Sequence, residues 1–142
     1  MSTLIIDASV AVKWFLPEQH SINAIRLIDA GYELLAPDLI FPECGNVLWK
    51  KWLRQELEPE VIPAILGDLG RMNIHIIPNF TIVDEAAKIA VTCRRSFYDS
   101  VYLALAAISN GLMVTADEKL CNALQGTPME KLVIFVGNMV LS

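Results

Sequence analysis

Short apolar runs alternate with helix-length amphipathic segments along the chain, and this alternation limits the possible folds more than any other feature. The apolar runs lie at residues 4–6, 33–36, 73–77, 112–115 and 132–136. Runs of this length are typical of buried parallel strands, and the helices between them supply the crossovers. The pattern therefore predicts an α/β fold with a central, mainly parallel five-stranded sheet that is flanked by about seven helices.

Helix starts are indicated by three patterns in which an acid follows a hydroxyl residue by three positions. The three pairs are Thr81 with Asp84, Ser96 with Asp99, and Thr115 with Glu118. In such a capping box the hydroxyl accepts a hydrogen bond from the first helical turn. We expect further helices over residues 9–16, 22–28 and 60–69, and a long helix that begins near Pro42, because proline is tolerated only in a first turn.

Four acidic residues fall at the same predicted edge of the sheet. They are Asp7 at the end of the first strand, Glu43 near the start of the long helix, Asp99 in the first turn of the helix before the fourth strand, and Asp117 just after that strand. In a parallel α/β fold the strand carboxyl ends and the helix N-termini share one edge, where ligands bind. We therefore expect the four carboxylates to converge, provided that the helix after Thr81 lies crosswise.

Carboxylates that converge repel one another unless cations neutralise them. Hard divalent cations prefer oxygen ligands, and they activate water for phosphodiester hydrolysis. This reasoning indicates a Mg²⁺- or Mn²⁺-dependent phosphodiesterase. Asp99, Asp117 and Glu43 have an alternative role as favourable charges at helix N-termini. Asp7 is explained less easily in that way, since it ends a buried strand and is followed by small residues.

Four segments of the chain resemble the PIN-domain ribonucleases, and in particular the VapC-type toxins of toxin–antitoxin modules. The segments are Leu4-Ile5-Ile6-Asp7-Ala8-Ser9-Val10, Pro42-Glu43-Cys44-Gly45-Asn46-Val47-Leu48, Tyr98-Asp99-Ser100-Val101-Tyr102-Leu103-Ala104-Leu105-Ala106, and Val114-Thr115-Ala116-Asp117-Glu118-Lys119-Leu120. Their order and spacing agree with the family. The sequence departs from it in small ways, with Ala8 where a hydroxyl residue is common and with Cys44 and Gly45 beside the second acid.

The resemblance implies a single PIN domain over residues 1–142, a Mg²⁺ or Mn²⁺ site, endoribonuclease activity, homodimerisation and inhibition by a cognate antitoxin. It implies roles for seven residues: Asp7, Asp99 and Asp117 as the main metal ligands, Glu43 as ligand of a second metal or as the group that orients the attacking water, and Ser9, Asn46 and Thr115 as hydrogen-bonding support. We expect in-line attack of water on the phosphodiester, which leaves a 5′-phosphate and a 3′-hydroxyl.

The net charge of −5 and the pI of about 4.9 argue against attraction of the whole molecule to nucleic acid. Local basic side chains must then contact an RNA substrate. The candidates are Lys13, Lys50, Arg94 and Arg95, with Lys51 and Arg54 on the same helix as Lys50. For at least half of them, a solvated helix face is the simpler interpretation.

Other function classes fit the sequence less well. His20 and His75 fall in a turn and a strand, so they do not form the acid–base pair of a histidine ribonuclease. The paired acids of a receiver domain and the Asp-x-Asp of a haloacid-dehalogenase phosphatase are absent after the first strand. The alternatives that stay open are a non-catalytic PIN-like module that binds RNA or protein, and a PIN nuclease in RNA processing without an antitoxin. Trp49 and Trp52 share a helix face that is suited to core packing or to an apolar groove for a partner.

The sequence suggests a cytoplasmic protein. The longest apolar run, residues 101–108, is too short to span a bilayer, and the N-terminus lacks the basic region of a signal peptide. The three cysteines are far apart and show no zinc-binding spacing. We therefore expect neither a membrane association nor a zinc site.

Overall fold

The central sheet is parallel throughout. The computed structural model describes residues 2–139. In it the strands follow the order β3-β2-β1-β4-β5, and every neighbouring pair is parallel. The strands are β1 Thr3–Ile6, β2 Glu33–Pro37, β3 His75–Ile77, β4 Leu112–Thr115 and β5 Val133–Phe135. The predicted five-stranded sheet is confirmed.

Helices cover both faces of this sheet. Within residues 2–139 the α-helices are α1 Ala8–Ala11, α2 Ser21–Arg26, α3 Ile40–Leu53, α4 Val61–Gly70, α5 Val83–Cys93, α6 Phe97–Ser109 and α7 Glu118–Ala123. Successive strand side chains point to opposite faces, so Leu4 and Ile6 join the core under α1–α4 while Ile5 joins the core under α5–α7. The chain thus buries two apolar layers, one on each side of the sheet.

Two predicted helices differ in detail from the observed ones. The segment expected as one helix over residues 9–16 is α1 followed by a 3₁₀ turn, Val12–Trp14. In α2, Ile22 is 67% exposed and Ile25 is 48% exposed, whereas Ala24 and Ser21 are buried, as is Leu27 just after the helix. The apolar stripe predicted over residues 22–28 is therefore partly wrong, since two of its isoleucines face solvent.

The three predicted capping boxes behave differently. Ser96 caps α6 as expected, since its hydroxyl accepts a hydrogen bond from the backbone N–H of Asp99 at 3.0 Å. The Thr81 hydroxyl instead donates backwards to the carbonyl of Pro78, so the predicted cap of α5 is wrong. The predicted cap at Thr115 is also wrong, because its hydroxyl bonds to Asp7, and the side chain of Asp117 caps α7.

The topology places a crevice at the carboxyl ends of β1 and β4. From these two neighbours, the chain winds outwards through β2 and β3 on one side and through β5 on the other. Such a switch point leaves room for a ligand beyond the strand ends. Helix α6 packs across β1, β2 and β4, whereas α5 packs chiefly against α6. The N-terminus of α6 reaches the crevice, where Tyr98 and Asp99 line it. No helix within residues 2–139 has the length and apolar character needed to cross a membrane.

Candidate active site

A cleft of about 570 Å³ opens at this crevice, and all four predicted acids line it. Asp7 follows β1, Glu43 lies in the first turn of α3, Asp99 in the first turn of α6, and Asp117 at the start of α7. A larger cavity of about 780 Å³ lies at the opposite edge of the sheet, around the starts of β1 and β4, and it has no acidic lining residue. The convergence expected from the sequence is therefore present in the folded chain.

Hydrogen bonds fix the carboxylate of Asp7 at the end of β1. Its Oδ2 accepts a bond from the Thr115 hydroxyl at 2.7 Å and another from the Ser9 hydroxyl at 2.7 Å. The same two hydroxyls accept bonds from the backbone N–H groups of Asp117, at 3.1 Å, and of Ala116, at 3.0 Å. The loop after β4 and the start of α1 are thus tied together through one carboxylate.

The carboxylates are close enough to disturb one another's ionisation. Burial raises the pKa of Asp7, two hydroxyl donors partly offset this effect, and the charge of Asp99 raises the pKa further. The pKa of Glu43 is raised by burial and then by the charges of Asp7 and Asp99, against the Tyr102 hydroxyl that lowers it. Burial also raises the pKa of Asp99, and the charge of Asp117 adds to the rise. Each charge therefore makes its neighbours harder to ionise.

The cleft offers oxygen donors without a basic partner. Across the part of the chain that the structure describes, no lysine or arginine forms an ion pair with any of the four acids. Oxygen Oε1 of Glu43 is buried and lacks a hydrogen-bond partner. Over the same residues, no three His, Cys, Asp or Glu side chains form a ready-made metal cage. This donor set fits Mg²⁺, which binds to one or two carboxylates, keeps several waters and takes the remaining ligands from substrate phosphates.

One face of α3 continues the cleft away from the acids. Asn46 and Lys50 follow Glu43 at intervals of three and four residues, so all three side chains lie on the same face and line the cleft. Among the described residues, Asn46 forms no hydrogen bond with any of the four acids. Its supporting role therefore stays a prediction.

The other predicted RNA-contacting residues occupy different environments. Lys13 is buried, and its Nζ donates to Glu18 at 3.1 Å and to the carbonyl of Gln19 at 2.7 Å. This placement argues against a phosphate contact by Lys13, because Glu18 already neutralises its charge. Arg94 ends α5 in a left-handed conformation, and Arg95 is close enough to Asp99 to lower the pKa of that carboxyl.

Two tyrosines of α6 belong to the site, although the sequence did not single them out. Tyr98 lines the cleft and is 61% exposed, and Tyr102 is buried next to Glu43 and Asp7. Their signal in the sequence is their spacing from Asp99, at one residue before it and three residues after it, which keeps all three at one end of a helix.

Comparisons with known proteins agree with this architecture. The PIN domain family profile matches residues 4–123. Ribonuclease VapC3 of Pyrobaculum aerophilum is 29% identical over an alignment of 121 residues, and the match covers 82% of this chain and 91% of that protein.

Solved structures show the same fold. A crystal structure of a Pyrobaculum aerophilum protein has a TM-score of 0.69 at 24% identity and covers 96% of this chain and 85% of its own. VapBC2 of Rickettsia felis, solved bound to a DNA fragment from its promoter, has a TM-score of 0.63 at 13% identity and covers 94% and 98%. The predicted PIN-like α/β fold is confirmed, and the match over residues 4–123 shows that the chain belongs to the PIN domain family.

Proposed function

We propose that this protein is a Mg²⁺- or Mn²⁺-dependent endoribonuclease and the toxin of a toxin–antitoxin pair. The observation that carries the proposal is the meeting of four carboxylates from four separate elements in one cleft, with no ion pair to a lysine or arginine among residues 2–139. Such a cluster of like charges is costly unless a cation binds there. Membership of the PIN domain family and a relative named as a ribonuclease support the same activity.

Different residues of the cleft would bind the cation and the substrate. Asp7, Asp99 and Asp117 would hold the cation, and Ser9 and Thr115 keep Asp7 in place through their hydrogen bonds. When bound, a divalent cation supplies stabilisation of the negative charge that develops on the phosphate oxygens.

Proton transfer and substrate positioning fall to three other side chains. Glu43 lines the cleft and has a raised pKa, so its carboxylate would accept the proton of the attacking water or hold a second cation. As water attacks the phosphorus, the bond from phosphorus to the 3′-oxygen breaks and the 3′-oxygen takes up a proton from solvent, which leaves a 5′-phosphate and a 3′-hydroxyl. Lys50 at the cleft and Arg95 beside Asp99 would contact the flanking phosphates.

The toxin assignment rests on the kind of protein that shares the fold. Structures of toxin–antitoxin complexes from Klebsiella pneumoniae and Rickettsia felis are among the neighbours. Trp49 and Trp52 remain 45% and 41% exposed on α3, which leaves apolar surface for a partner protein. We propose an antitoxin as that partner, a homodimer as the toxin's own assembly, and the cytoplasm as the compartment.

Cleavage of total cellular RNA by the purified protein tests the activity. The reaction is run with Mg²⁺, with Mn²⁺ and with EDTA, for the wild type and for Asp7→Asn and Asp99→Asn. We expect discrete fragments that need the cation, and a loss of rate of about 10²-fold or more in both variants. Asp84→Asn, which changes an exposed acid in the first turn of α5, is the matched control and should keep full activity.

The results separate the possible functions. Unchanged cleavage by Asp7→Asn or Asp99→Asn contradicts the site assignment. RNA binding without cleavage, in folded protein that binds Mn²⁺ and is free of antitoxin, indicates the non-catalytic binding module instead. Cleavage without growth arrest on expression favours a PIN nuclease in RNA processing over a toxin.

A further inference from the structure

Two buried side-chain oxygens lack a hydrogen-bond partner, and they belong to neighbouring residues beside the cleft. They are Oε1 of Glu43 on α3 and the hydroxyl of Tyr102 on α6, and no other buried side-chain nitrogen or oxygen in residues 2–139 is left without a partner. Buried polar atoms in proteins are normally hydrogen-bonded. The coincidence of two such exceptions at one point therefore calls for a physical explanation.

The two groups influence each other directly. Burial raises the pKa of Glu43, and the adjacent Tyr102 hydroxyl opposes that rise, which places it within interaction range of the carboxylate. Each of the two buried oxygens still lacks a hydrogen-bond partner, so each is available to the other.

Tyr102 is restricted to the role of donor. Burial raises the pKa of Tyr102 above its ordinary value, and the charges of Asp7 and Glu43 add to the rise, which favours the neutral phenol. Its side chain is 1% exposed, which separates it from bulk water. The neighbouring carboxylates are acceptors when ionised, so the O–H of Tyr102 has a natural partner in Glu43.

Packing alone does not require the hydroxyl. Tyr102 is among the largest fully buried side chains, and its ring belongs to the core under α5–α7. A phenylalanine fills the same space apart from one oxygen. Tyr102 also follows Asp99 by three residues on α6, so the two side chains lie on the same side of that helix.

We propose that Tyr102 is a positioning residue whose O–H donates to Oε1 of Glu43 and fixes that carboxylate, leaving Oε2 to act in the cleft. The inference rests on the proposed function, because a fixed Glu43 is useful only where the cleft binds a cation and a phosphodiester. Tyr102 touches neither reactant and acts through Glu43 alone.

A double-mutant cycle of Tyr102→Phe and Glu43→Ala tests the proposal, with Tyr32→Phe as a matched control in the cavity at the opposite edge of the sheet. Urea unfolding in EDTA measures how the two substitutions affect stability when no cation is bound. Calorimetric titration with Mn²⁺ measures cation affinity when no substrate is present. Steady-state cleavage then separates kcat from KM.

We expect Tyr102→Phe to weaken Mn²⁺ binding and to lower kcat by about tenfold each, with little change in KM. In the Glu43→Ala background the same change should alter Mn²⁺ affinity by less than about twofold. The unfolding free energies of Tyr102→Phe and Glu43→Ala should be non-additive in EDTA, whereas Tyr32→Phe should be additive with Glu43→Ala.

Additive unfolding free energies in EDTA overturn the contact, whatever the activity. Equal losses of Mn²⁺ affinity in the presence and absence of Glu43 also overturn it, since Tyr102 then acts by another route. A wild type that neither binds Mn²⁺ nor cleaves RNA overturns the proposed function instead, and the EDTA cycle still decides the contact on its own.

Discussion

At the scale of single residues, the Thr115 hydroxyl connects two of the acidic residues of the site through its hydrogen bonds. Thr115 is fully buried, donates to Asp7 and accepts from the backbone N–H of Asp117. One oxygen therefore orients a carboxylate from β1 and the loop that carries another acid. The sequence suggested support by Thr115 and Ser9 through a family resemblance. The structure supplies the reason, which is that both hydroxyls bind one carboxylate oxygen.

Removal of this hydroxyl should affect stability and activity together. We expect Thr115→Val, which keeps the shape of the side chain, to lower the free energy of unfolding by about 1–3 kcal/mol, because the N–H of Asp117 loses its partner. Cleavage should fall by about 10- to 100-fold, since Asp7 then keeps only one of its two hydroxyl donors, Ser9. Urea unfolding and single-turnover cleavage measure the two effects.

Thr127→Val is the matched control for that change. The Thr127 hydroxyl also makes two backbone contacts, to the carbonyl of Leu124 at 2.6 Å and from the N–H of Met129 at 3.2 Å, but it lies outside the cleft. The Thr127→Val variant should have a lower free energy of unfolding and an unchanged cleavage rate. If both variants keep full activity, the hydroxyl of Thr115 has no part in orienting Asp7.

Lys13 illustrates why the environment of a residue was hard to predict from the sequence. It follows Ser9 by four positions, which suggested a place near the site. Its charge is instead neutralised by Glu18, which also binds Lys51 of α3 at 2.9 Å. This arrangement depends on the packing of the segment after α1 against α3, and Lys51 and Glu18 are far apart in the chain. No local pattern in the sequence contains that information.

At the scale of elements, the strands and long helices were predictable because their apolar periodicity is strong, whereas their ends were less so. Three similar capping patterns gave one hydroxyl cap, at Ser96. Thr115 was diverted by the carboxylate of Asp7, and Thr81 by the carbonyl of Pro78. A capping pattern states which bond is available, and tertiary neighbours then decide which bond forms.

Ser96→Ala should therefore cost more than Thr81→Ala, although the two sequence patterns are alike. Loss of the α6 cap should lower the free energy of unfolding by about 1 kcal/mol, as N-cap hydroxyls commonly contribute. Thr81→Ala removes an exposed bond that caps no α-helix, and it should cost less than half as much. Urea denaturation of both variants measures the two losses of unfolding free energy. Equal losses would contradict the prediction that the Ser96 hydroxyl stabilises α6 as its N-cap.

At the scale of the whole molecule, the alternation of strands and helices predicted the layers of the fold but not their order. Alternation alone does not say that β1 and β4 lie side by side, which is the feature that creates the crevice. Asp7 and Asp117 meet because these two strands are neighbours, and Asp99 joins them because α6 packs across both. The candidate site is thus a product of strand order, which long-range packing decides.

Glu18 links distant parts of the molecule, so its ionisation should be visible in global unfolding. Burial tends to raise the pKa of Glu18, but hydrogen bonds and charges from Lys51 and Lys13 outweigh it and lower the pKa below its usual range. A carboxyl with a lowered folded pKa adds stability that is complete above its unfolded pKa, about 4.3 for glutamate. That stability disappears as the pH falls through the lower, folded value.

We therefore expect Glu18→Gln to lower the free energy of unfolding by about 1–3 kcal/mol at pH 7, where buried Lys13 is left without its counter-charge. Below the folded pKa of Glu18 this carboxyl is protonated in the wild type too. The difference in unfolding free energy between the wild type and Glu18→Gln should therefore narrow. Asp68→Asn breaks an exposed pair with Arg71 and should cost no more than about 0.5 kcal/mol. Urea titrations from pH 7 to pH 3 measure these differences. A gap that stays constant over this range would mean that Glu18 stabilises the protein through its shape and not through its charge.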